Sequence, residues 1–470
     1  MITFYRLDYV VIALFFICLG LIALYFYRKK VNTADEFFLN KRAIGLGLFI
    51  ATNVSTWYGG ILGVGEFTYK FGVLSWVTQG LPYYFFAILF GIFLAKKIRK
   101  TNFFTIPELI EKHYGKKAAF LVSILIFVLT SPAPYLLMVG QLTSILFGLP
   151  TIWGILIGLT FSLGYLFWGG YKSDVWSDLF MFFVMYAGFF VIFFFSYHNL
   201  GGMAYLSAHL PKAHLTFTGG ASWVYILTWF LIALWTFADP GFHQRCYSAK
   251  TPNVALWGIL LSVPLWFIFD YLTVSAGLYA RANTPNLTSA VLAYPALADK
   301  ILPAGAKGLF FIALFATVLS TLNSFLFISA QTFGKDIMKY ISKAKEKDNS
   351  VLLTRVGLGV TSIISIALAL SVNSIIEIWY LIGSVCIPGI ILPVFGAYYK
   401  KLSIDKRFVA IEIIAGSALS LLVVILKKCA NISFIENLEP MIAGLTISVI
   451  VHLVGIINRI YSKSQAGFRV

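Results

Sequence analysis

Three hydroxyl side chains lie close together in one apolar segment: Thr317, Ser320 and Thr321. Their spacing of three and four residues places them on one face of a helix. Oxygen atoms gathered in this way are suitable ligands for a hard cation such as sodium. Small polar residues on one face also let two helices pack closely within a membrane, so the spacing alone leaves both interpretations open.

Two other apolar segments contain residues that disfavour a continuous helix. One is cut by the run Asn-Val-Ser-Thr-Trp-Tyr-Gly-Gly at 53–60, and the other by Asp239, Pro240 and Gly241. Glycine tolerates unwound backbone and proline lacks an N–H, so carbonyl groups near such breaks are free to face a cation. Either break alone could be an ordinary kink, and their positions in the chain decide the matter.

The composition indicates which elements must position these residues. The chain of 470 residues is 59% hydrophobic and 12% charged, which is too apolar for a soluble domain. About thirteen segments of roughly 20 apolar residues recur along it, and each can cross a hydrocarbon core of about 30 Å as a helix. The predicted fold is therefore all-α, a single polytopic membrane domain over 1–470. We predict spans at 8–27, 45–65, 73–95, 117–148, 151–170, 174–196, 222–243, 253–280, 308–338, 351–371, 375–398, 408–426 and 438–458.

The basic residues are concentrated on one side of these spans. Most of the 36 Lys and Arg residues fall there, including the clusters 28–30, 96–100 and 400–407. By the positive-inside rule that side is cytoplasmic, which places the N-terminus outside and the C-terminus inside. The expected location is the cell membrane, specifically a bacterial inner membrane. The net charge of +17 is then a topology signal, and nucleic acid is not an expected partner.

The order of the spans predicts an internal repeat. Spans two to six (45–196) and seven to eleven (222–398) form two sets of five, and because five is odd the second set starts from the opposite side. This is an inverted-topology repeat, in which the first helix of each half is interrupted at a midplane binding site. Both breaks lie in these first helices, which favours a site over ordinary kinks. The segment 8–27 and the two spans of 408–458 are predicted to be peripheral.

Several motifs of the chain match those of one transporter family. They are the runs Ala51–Gly60, Thr105–Gly115, Gly169-Gly170 with Ser177-Asp178, Gln244–Lys250, and Ala316–Ser324 followed by Gly334–Asp336. Together they resemble the sodium:solute symporters, which include bacterial proline, pantothenate, sialic acid and sugar carriers. The resemblance extends from about residue 34 to residue 400 and implies the same five-plus-five (leucine-transporter-type) inverted repeat.

The resemblance also implies a site for a co-transported sodium ion. Carried over motif by motif, its ligands are the backbone carbonyls of Ala51, Val54 and Thr317 and the hydroxyls of Ser320 and Thr321. The aspartate of the Ser177-Asp178 motif is placed by the resemblance on the path by which the ion leaves; an ordinary interfacial carboxylate is the alternative for Asp178.

The solute site is predicted from the same resemblance and from polar residues at the breaks. The predicted residues are Asn53, Ser55, Tyr58, Trp76, Gln79, Trp235, Asp239 and Trp266. Aromatic rings suit a sugar ring, an apolar amino acid or an amine. Asp239 could bind a second cation, pair with Arg245 or recognise a basic solute. Asp270 has no evident partner, and no Lys or Arg is expected in mid-span to bind a carboxylate.

The function implied is sodium-coupled import of a small organic solute by alternating access. The solute would be a sugar, an amino acid, a carboxylate or an amine, and the other partner is the lipid bilayer. Two alternatives remain: proton-coupled transport through Asp178 or Asp239, and a solute sensor, for which the dozen or so residues after the last span offer little room. An enzyme is not expected, because no nucleophile and base are paired in the sequence.

Overall fold

The computed structural model of this chain describes residues 2–29, 33–341, 349–371, 375–429 and 438–467, and within these ranges it contains helices and no named strand. Lys30, in one of the basic clusters, lies outside the described residues. The longer helices are Arg6–Lys29, Lys116–Leu129, Ala133–Phe147, Thr151–Leu200, Pro252–Asn283, Ala306–Gln331, Ser350–Ser371, Ile375–Tyr398, Lys406–Cys429 and Pro440–Gly467. The shorter α-helices are Ala34–Leu39, Leu46–Ser55, Ile61–Phe71, Leu74–Gln79, Leu81–Phe90, Lys96–Lys100, Ile106–Tyr114, Met203–His209, Trp223–Ile232, Trp235–Ala238, Pro240–Ser248, Ala293–Ile301 and Met338–Ile341. Single 3₁₀ turns occur at Asn40–Arg42, Thr56–Tyr58, Lys212–Leu215 and Ala290–Leu292, and π-helical turns at Gly91–Ala95 and Thr332–Ile337.

Eleven helices in the described residues are long and apolar enough to cross a membrane. One of them, Thr151–Leu200, has 50 residues and would measure about 75 Å, more than twice a hydrocarbon core. It bends at Gly170, whose φ of 54° and ψ of −144° are not helical. We call it the bent helix, and its two arms correspond to the predicted spans 151–170 and 174–196. Counting these arms separately, and adding the interrupted helix described next, gives the predicted thirteen crossings.

The predicted span 45–65 is an interrupted helix, made of Leu46–Ser55 and Ile61–Phe71 with a 3₁₀ turn and two glycines between them. The glycines allow close approach of neighbouring helices. A Cβ on Gly59 would overlap the side chain of Thr321, and a Cβ on Gly60 would overlap the indole of Trp379. The break therefore brings two other helices directly against the backbone of this one.

The predicted span 222–243 is the second interrupted helix, which runs from Trp223 to Ser248 in three pieces. Asp239 adopts extended backbone (φ −67°, ψ 115°) and its carboxylate accepts a hydrogen bond from the N–H of Phe242 at 2.8 Å. It therefore caps the helix that begins at Pro240, as a short polar side chain does at this position. Both predicted breaks are present.

At the centre of the bundle lies the hydroxyl helix, Ala306–Gln331, which is almost entirely buried. It packs against the bent helix, the first helix and the 3₁₀ turn of the interrupted helix. The last two helices, Lys406–Cys429 and Pro440–Gly467, pack mainly on each other and on Ile375–Tyr398. The bounds assigned to the two five-helix repeats stay a prediction.

Candidate functional site

The hydroxyl helix meets the interrupted helix at the end of its first half. Thr321 Oγ1 donates to the backbone carbonyl of Thr56 at 2.6 Å, and Ser320 Oγ lies 3.0 Å from Ser55 Oγ. Ser320 and Thr321 are buried, and so are Ser55 and Thr56. The two hydroxyls that the sequence singles out therefore lie where the backbone of the neighbouring helix leaves α-helical geometry.

The remaining predicted ligands lie in the same two helices. Ala51, Val54 and Thr317 are all buried. The hydroxyl of Thr317 donates to the carbonyl of Leu314 at 2.7 Å, while its own carbonyl lies 3.4 Å from Thr321 Oγ1. The structure thus brings Ser320 and Thr321 against the interrupted helix. The assignment of the five oxygens as ligands stays a prediction.

Asp178 lies at this junction. Its side chain is fully buried, Ser320 Oγ donates to it at 2.6 Å, and Thr56 Oγ1 lies 3.3 Å away. Thr52 also donates to it. The hydroxyl of Ser320 thus directs its hydrogen at Asp178, which leaves the lone pairs of its oxygen available on the other side.

A buried arginine opposes the charge of Asp178. The Nη2 of Arg245 lies 3.8 Å from Asp178 Oδ2, and it also bonds Thr56 Oγ1 at 2.5 Å and Ser324 Oγ at 3.3 Å. Ser324 in turn donates to Asp174 at 2.6 Å. We call Asp174, Asp178 and Arg245 the ionic cluster. It contains two carboxylates and one guanidinium, all three at 2% exposure or less.

Next to this junction is a cavity of about 130 Å³ enclosed mainly by aromatic side chains. Its walls include Trp57, Trp76, Tyr83, Trp229, Trp235 and Trp379. Thr56 and Arg245 also line it, and the carbonyl of Thr56 accepts a hydrogen bond from the ion-site candidate Thr321, so the cavity adjoins the candidate ion site.

Six of the eight predicted solute-binding residues line the cavity: Asn53, Tyr58, Trp76, Gln79, Trp235 and Asp239. Ser55 and Trp266 do not. Ser55 faces Ser320. Trp266 is fully buried behind the wall, where its ring stacks on Phe242 at 5.9 Å and its carbonyl accepts from the hydroxyl of Tyr58 at 2.7 Å. The ring of Phe242, which does line the cavity, takes the place predicted for Trp266.

Two carboxylates reach the cavity. Asp239 accepts from the indole N–H of Trp235 at 3.1 Å as well as from the backbone. Asp270, which has no evident partner in the sequence, accepts from the hydroxyl of Tyr84. Neither of them takes part in an ion pair within the described part of the chain. The pairing of Asp239 with Arg245 is therefore not observed, because the guanidinium is directed towards Asp178.

Sequence reasoning missed Asp174 and misplaced Arg245. The predicted span ends at 243, whereas the second interrupted helix continues to Ser248 and includes the buried Arg245. One signal was available for Asp174, which precedes Asp178 by four residues and so shares its helix face. Two acids on one face of an apolar helix call for a buried base.

Comparison with known proteins identifies the relatives of this chain. A sequence model described as the sodium:solute symporter family matches residues 38–405. The sodium/glucose cotransporter of Vibrio parahaemolyticus is 27% identical over 454 residues, covering 84% of this chain and 81% of the relative. High-affinity choline transporter 1 of Drosophila melanogaster is 26% identical over 402 residues, covering 78% of this chain and 63% of the relative.

A solved structure shares the fold. The substrate-bound, outward-open structure of a Na⁺-coupled sialic acid symporter superposes with a TM-score of 0.79 over 97% of this chain and 98% of that one, at 16% sequence identity. At this level of identity the likeness concerns the fold alone. The fold is the all-helical, five-plus-five architecture predicted from the sequence.

Proposed function

This chain belongs to the sodium:solute symporter family, and from that premise we propose that it couples the entry of sodium to the import of a small organic solute by alternating access. Proteins of this family are transporters, and the many apolar helices make this chain a multi-pass membrane protein. The relatives are named for glucose, choline and sialic acid, so their names leave the solute open.

One observation carries the proposal. The carbonyl of Thr56 accepts from Thr321, its hydroxyl lies 3.4 Å from Ser320, and the residue also lines the cavity. An ion held by Ser320, Thr321 and the carbonyls of Ala51, Val54 and Thr317 would fix this part of the cavity wall. Neutral oxygens suit sodium because they satisfy a hard cation without a formal charge that would retain it.

In this proposal the aspartate beside the site serves the release of the ion. Asp178 is bonded to Ser320 and opposed by Arg245, so it adds negative charge next to the site without being one of its five oxygens. We place the basic clusters on the cytoplasmic side, with the N-terminus outside, on the positive-inside rule.

Sodium binding can be tested without knowing the solute. We would measure ²²Na⁺ binding to purified protein, with potassium replacing sodium at constant ionic strength. Thr321→Ala removes one oxygen and is expected to weaken sodium binding by roughly ten- to a hundredfold, since an interaction with a charged group contributes about 1.5–3 kcal/mol. Thr321→Ser keeps the oxygen and should retain binding.

The matched control is Thr160→Ala. The hydroxyl of Thr160 donates to the carbonyl of Leu156 at 2.7 Å on an exposed face of the bent helix. Its loss should leave sodium binding unchanged. Binding in Thr321→Ala equal to that of the unmodified protein, or no preference for sodium over potassium, would reject the proposed site.

Proton coupling is the second candidate, and one observation favours it: Asp178 lies 2.6 Å from the hydroxyl of Ser320, so a proton on this carboxylate would lie beside the site. A pH gradient would then drive uptake in potassium without sodium, and Asp178→Asn would abolish that uptake. Under sodium coupling the same variant keeps a sodium requirement, and no uptake occurs in potassium at any pH gradient.

A further inference from the structure

The charge inside the cavity is unbalanced. Asp239 and Asp270 both line it, at 7% and 8% exposure, and no Lys or Arg forms an ion pair with either in the described residues. The one base in the wall, Arg245, is turned towards Thr52, Thr56 and Asp178. A carboxylate buried within a membrane protein is costly unless a positive charge accompanies it. Arg245 also bonds the carbonyl of Gly241, so both carboxylates face the cavity without an ion-pair partner among the described residues.

Each carboxylate adjoins an indole ring. The N–H of Trp235 donates to Asp239. A Cβ placed on Gly80 would lie 2.6 Å from Asp270 Oδ2 and 2.8 Å from Trp76 Cδ1, so this carboxylate and this ring flank the same glycine. Aromatic faces attract cations, and the attraction is strongest where water is excluded.

In the described part of the chain, no Lys or Arg lies over an aromatic ring of the cavity wall. Within the described ranges, the Lys and Arg side chains that lie over aromatic rings use Tyr5, Phe37, Phe38, Tyr69, Phe104, Phe167, Trp168, Tyr340 and Tyr399, none of which lines the cavity. Trp57, Trp76, Trp235 and Trp379 thus present rings to the cavity that no protein charge covers.

The surroundings suit an organic cation better than a metal ion. A metal ion such as sodium needs several oxygen ligands around it. The hydrogen-bond partners of these two carboxylates are donors: an indole N–H and a backbone N–H at Asp239, and the hydroxyl of Tyr84 at Asp270. Aromatic rings also line the cavity, among them Trp57, Trp76, Trp235 and Trp379. A substituted ammonium ion is weakly hydrated and gains from both the rings and the charges.

The size of the cavity limits the cation. A dry cavity of about 150 Å³ holds benzene, and this one measures about 130 Å³. Three polar atoms of its walls, Asn53 Oδ1, Ser75 Oγ and Gln79 Nε2, are buried and have no hydrogen-bond partner among the described residues. Buried polar atoms are normally satisfied, and a hydroxyl group on the solute would satisfy one or two of them.

We propose that the transported solute is a small organic cation, a substituted ammonium ion of about six or seven non-hydrogen atoms that carries a hydroxyl group. Its charge lies between Asp239 and Asp270 against the indole rings of Trp76 and Trp235. That this cavity is the solute site rests on the proposed transport function. That the solute is positively charged rests on the residues of the cavity alone.

The test compares a cation with its uncharged isostere. Choline and 3,3-dimethyl-1-butanol have the same shape, and the second replaces the ammonium nitrogen by carbon. We would measure thermal stabilisation of the purified protein by each, together with glycine betaine and glucose, in sodium and in potassium. Choline should stabilise the protein at concentrations at least tenfold lower than those needed for the neutral isostere. Its effect should be stronger in sodium than in potassium.

Variants locate the effect. Asp239→Asn, Asp270→Asn and Trp235→Leu should each weaken choline binding roughly tenfold or more, and Trp235→Phe should retain most of it. Asp405→Asn and Trp153→Leu are matched controls at exposed positions and should leave binding unchanged. If a variant fails to fold, comparing choline with 3,3-dimethyl-1-butanol on the unmodified protein still shows whether the site prefers a cation.

The outcomes separate this inference from the proposed function. Equal binding of the two isosteres, or a preference for glucose, overturns the proposal that the solute is an organic cation. Sodium coupling is then judged separately, from the comparison of sodium with potassium. Stronger binding of glycine betaine than of choline also overturns it, because a carboxylate would then be recognised, with Arg245 as the base in the wall. Choline binding that is identical in sodium and potassium supports the cation and rejects sodium coupling.

Discussion

Removing the guanidinium of Arg245 should destabilise the protein more than any other single loss of charge in the bundle. Arg245→Gln leaves Asp174 and Asp178 buried without a base, and it removes donors to Thr52, Thr56 and Ser324. Taking one partner from a buried ion pair costs about 3–5 kcal/mol. At an unfolding entropy of about 2.1 cal/mol/K per residue, we expect this chain of 470 residues to melt roughly 3–5 °C lower.

A second substitution tests the cause. In Arg245→Gln/Asp174→Asn one of the two uncompensated carboxylates is gone, so about half of the lost stability should return. Such a recovery is a non-additive effect, which is expected only of residues in one network. Arg407→Gln, at an exposed position, is the control and should change stability by less than about 1 kcal/mol.

The assay uses the cysteines of the chain itself. Cys246 and Cys386 are buried, so a thiol-reactive fluorogenic dye labels them only when the protein unfolds on heating. Since Cys246 adjoins Arg245, the melts should be repeated in a Cys18→Ser/Cys246→Ala/Cys429→Ser background, which removes the exposed Cys18 and Cys429 and leaves the buried Cys386 to report. A melt of Arg245→Gln at the temperature of the unmodified protein, or a double variant no more stable than the single one, would refute the ionic cluster.

Three further predictions concern other parts of the fold. Gly59→Ala would force a methyl group into the side chain of Thr321 and should weaken ²²Na⁺ binding at least tenfold, whereas Gly47→Ala, with nothing within 4 Å, should not. The pKa of Glu36, outside the spans, is lowered from 4.5 by lysine side chains 2.9 Å away, first Lys172; its ion pairs therefore stabilise the protein above about pH 4.5 and less below it. Glu36→Gln should lower the melting temperature at pH 7 and much less at pH 4. Asp8→Ala removes the acceptor of two N–H groups at the start of the hydroxyl helix, at 2.7 and 2.8 Å, and should cost about 1–2 kcal/mol in thermal or denaturant unfolding.

The crossings and the breaks could be predicted from the sequence because they depend on local properties. A run of apolar residues specifies a membrane helix whatever surrounds it, and Gly59-Gly60 or Asp239-Pro240 interrupts a helix by its own backbone preferences. The face formed by Thr317, Ser320 and Thr321 follows from helical spacing in the same way. These features need no knowledge of the neighbouring helices.

The partners across helices could not be predicted, because nothing local specifies them. Asp270 bonds Tyr84, which is 186 positions away in the chain, and the indole of Trp379 lies against Gly60 from the other half of the protein. Hydropathy places the end of the span before Arg245 and so predicts an interfacial residue, although its helix continues to Ser248. Its burial depends on Thr52, Thr56 and Ser324, which supply the acceptors that let a guanidinium leave water.

The short distance between Arg245 and Asp178 has a consequence for how two different ligands must behave. One of these side chains lines the cavity and the other touches Ser320. If sodium held at the hydroxyl helix changes the affinity of the cavity for its solute by some factor, the solute must change the affinity for sodium by that same factor. Titrating sodium with and without the solute, and the solute with and without sodium, must therefore give the same ratio of affinities. Arg245→Lys should bring this ratio closer to one in both titrations.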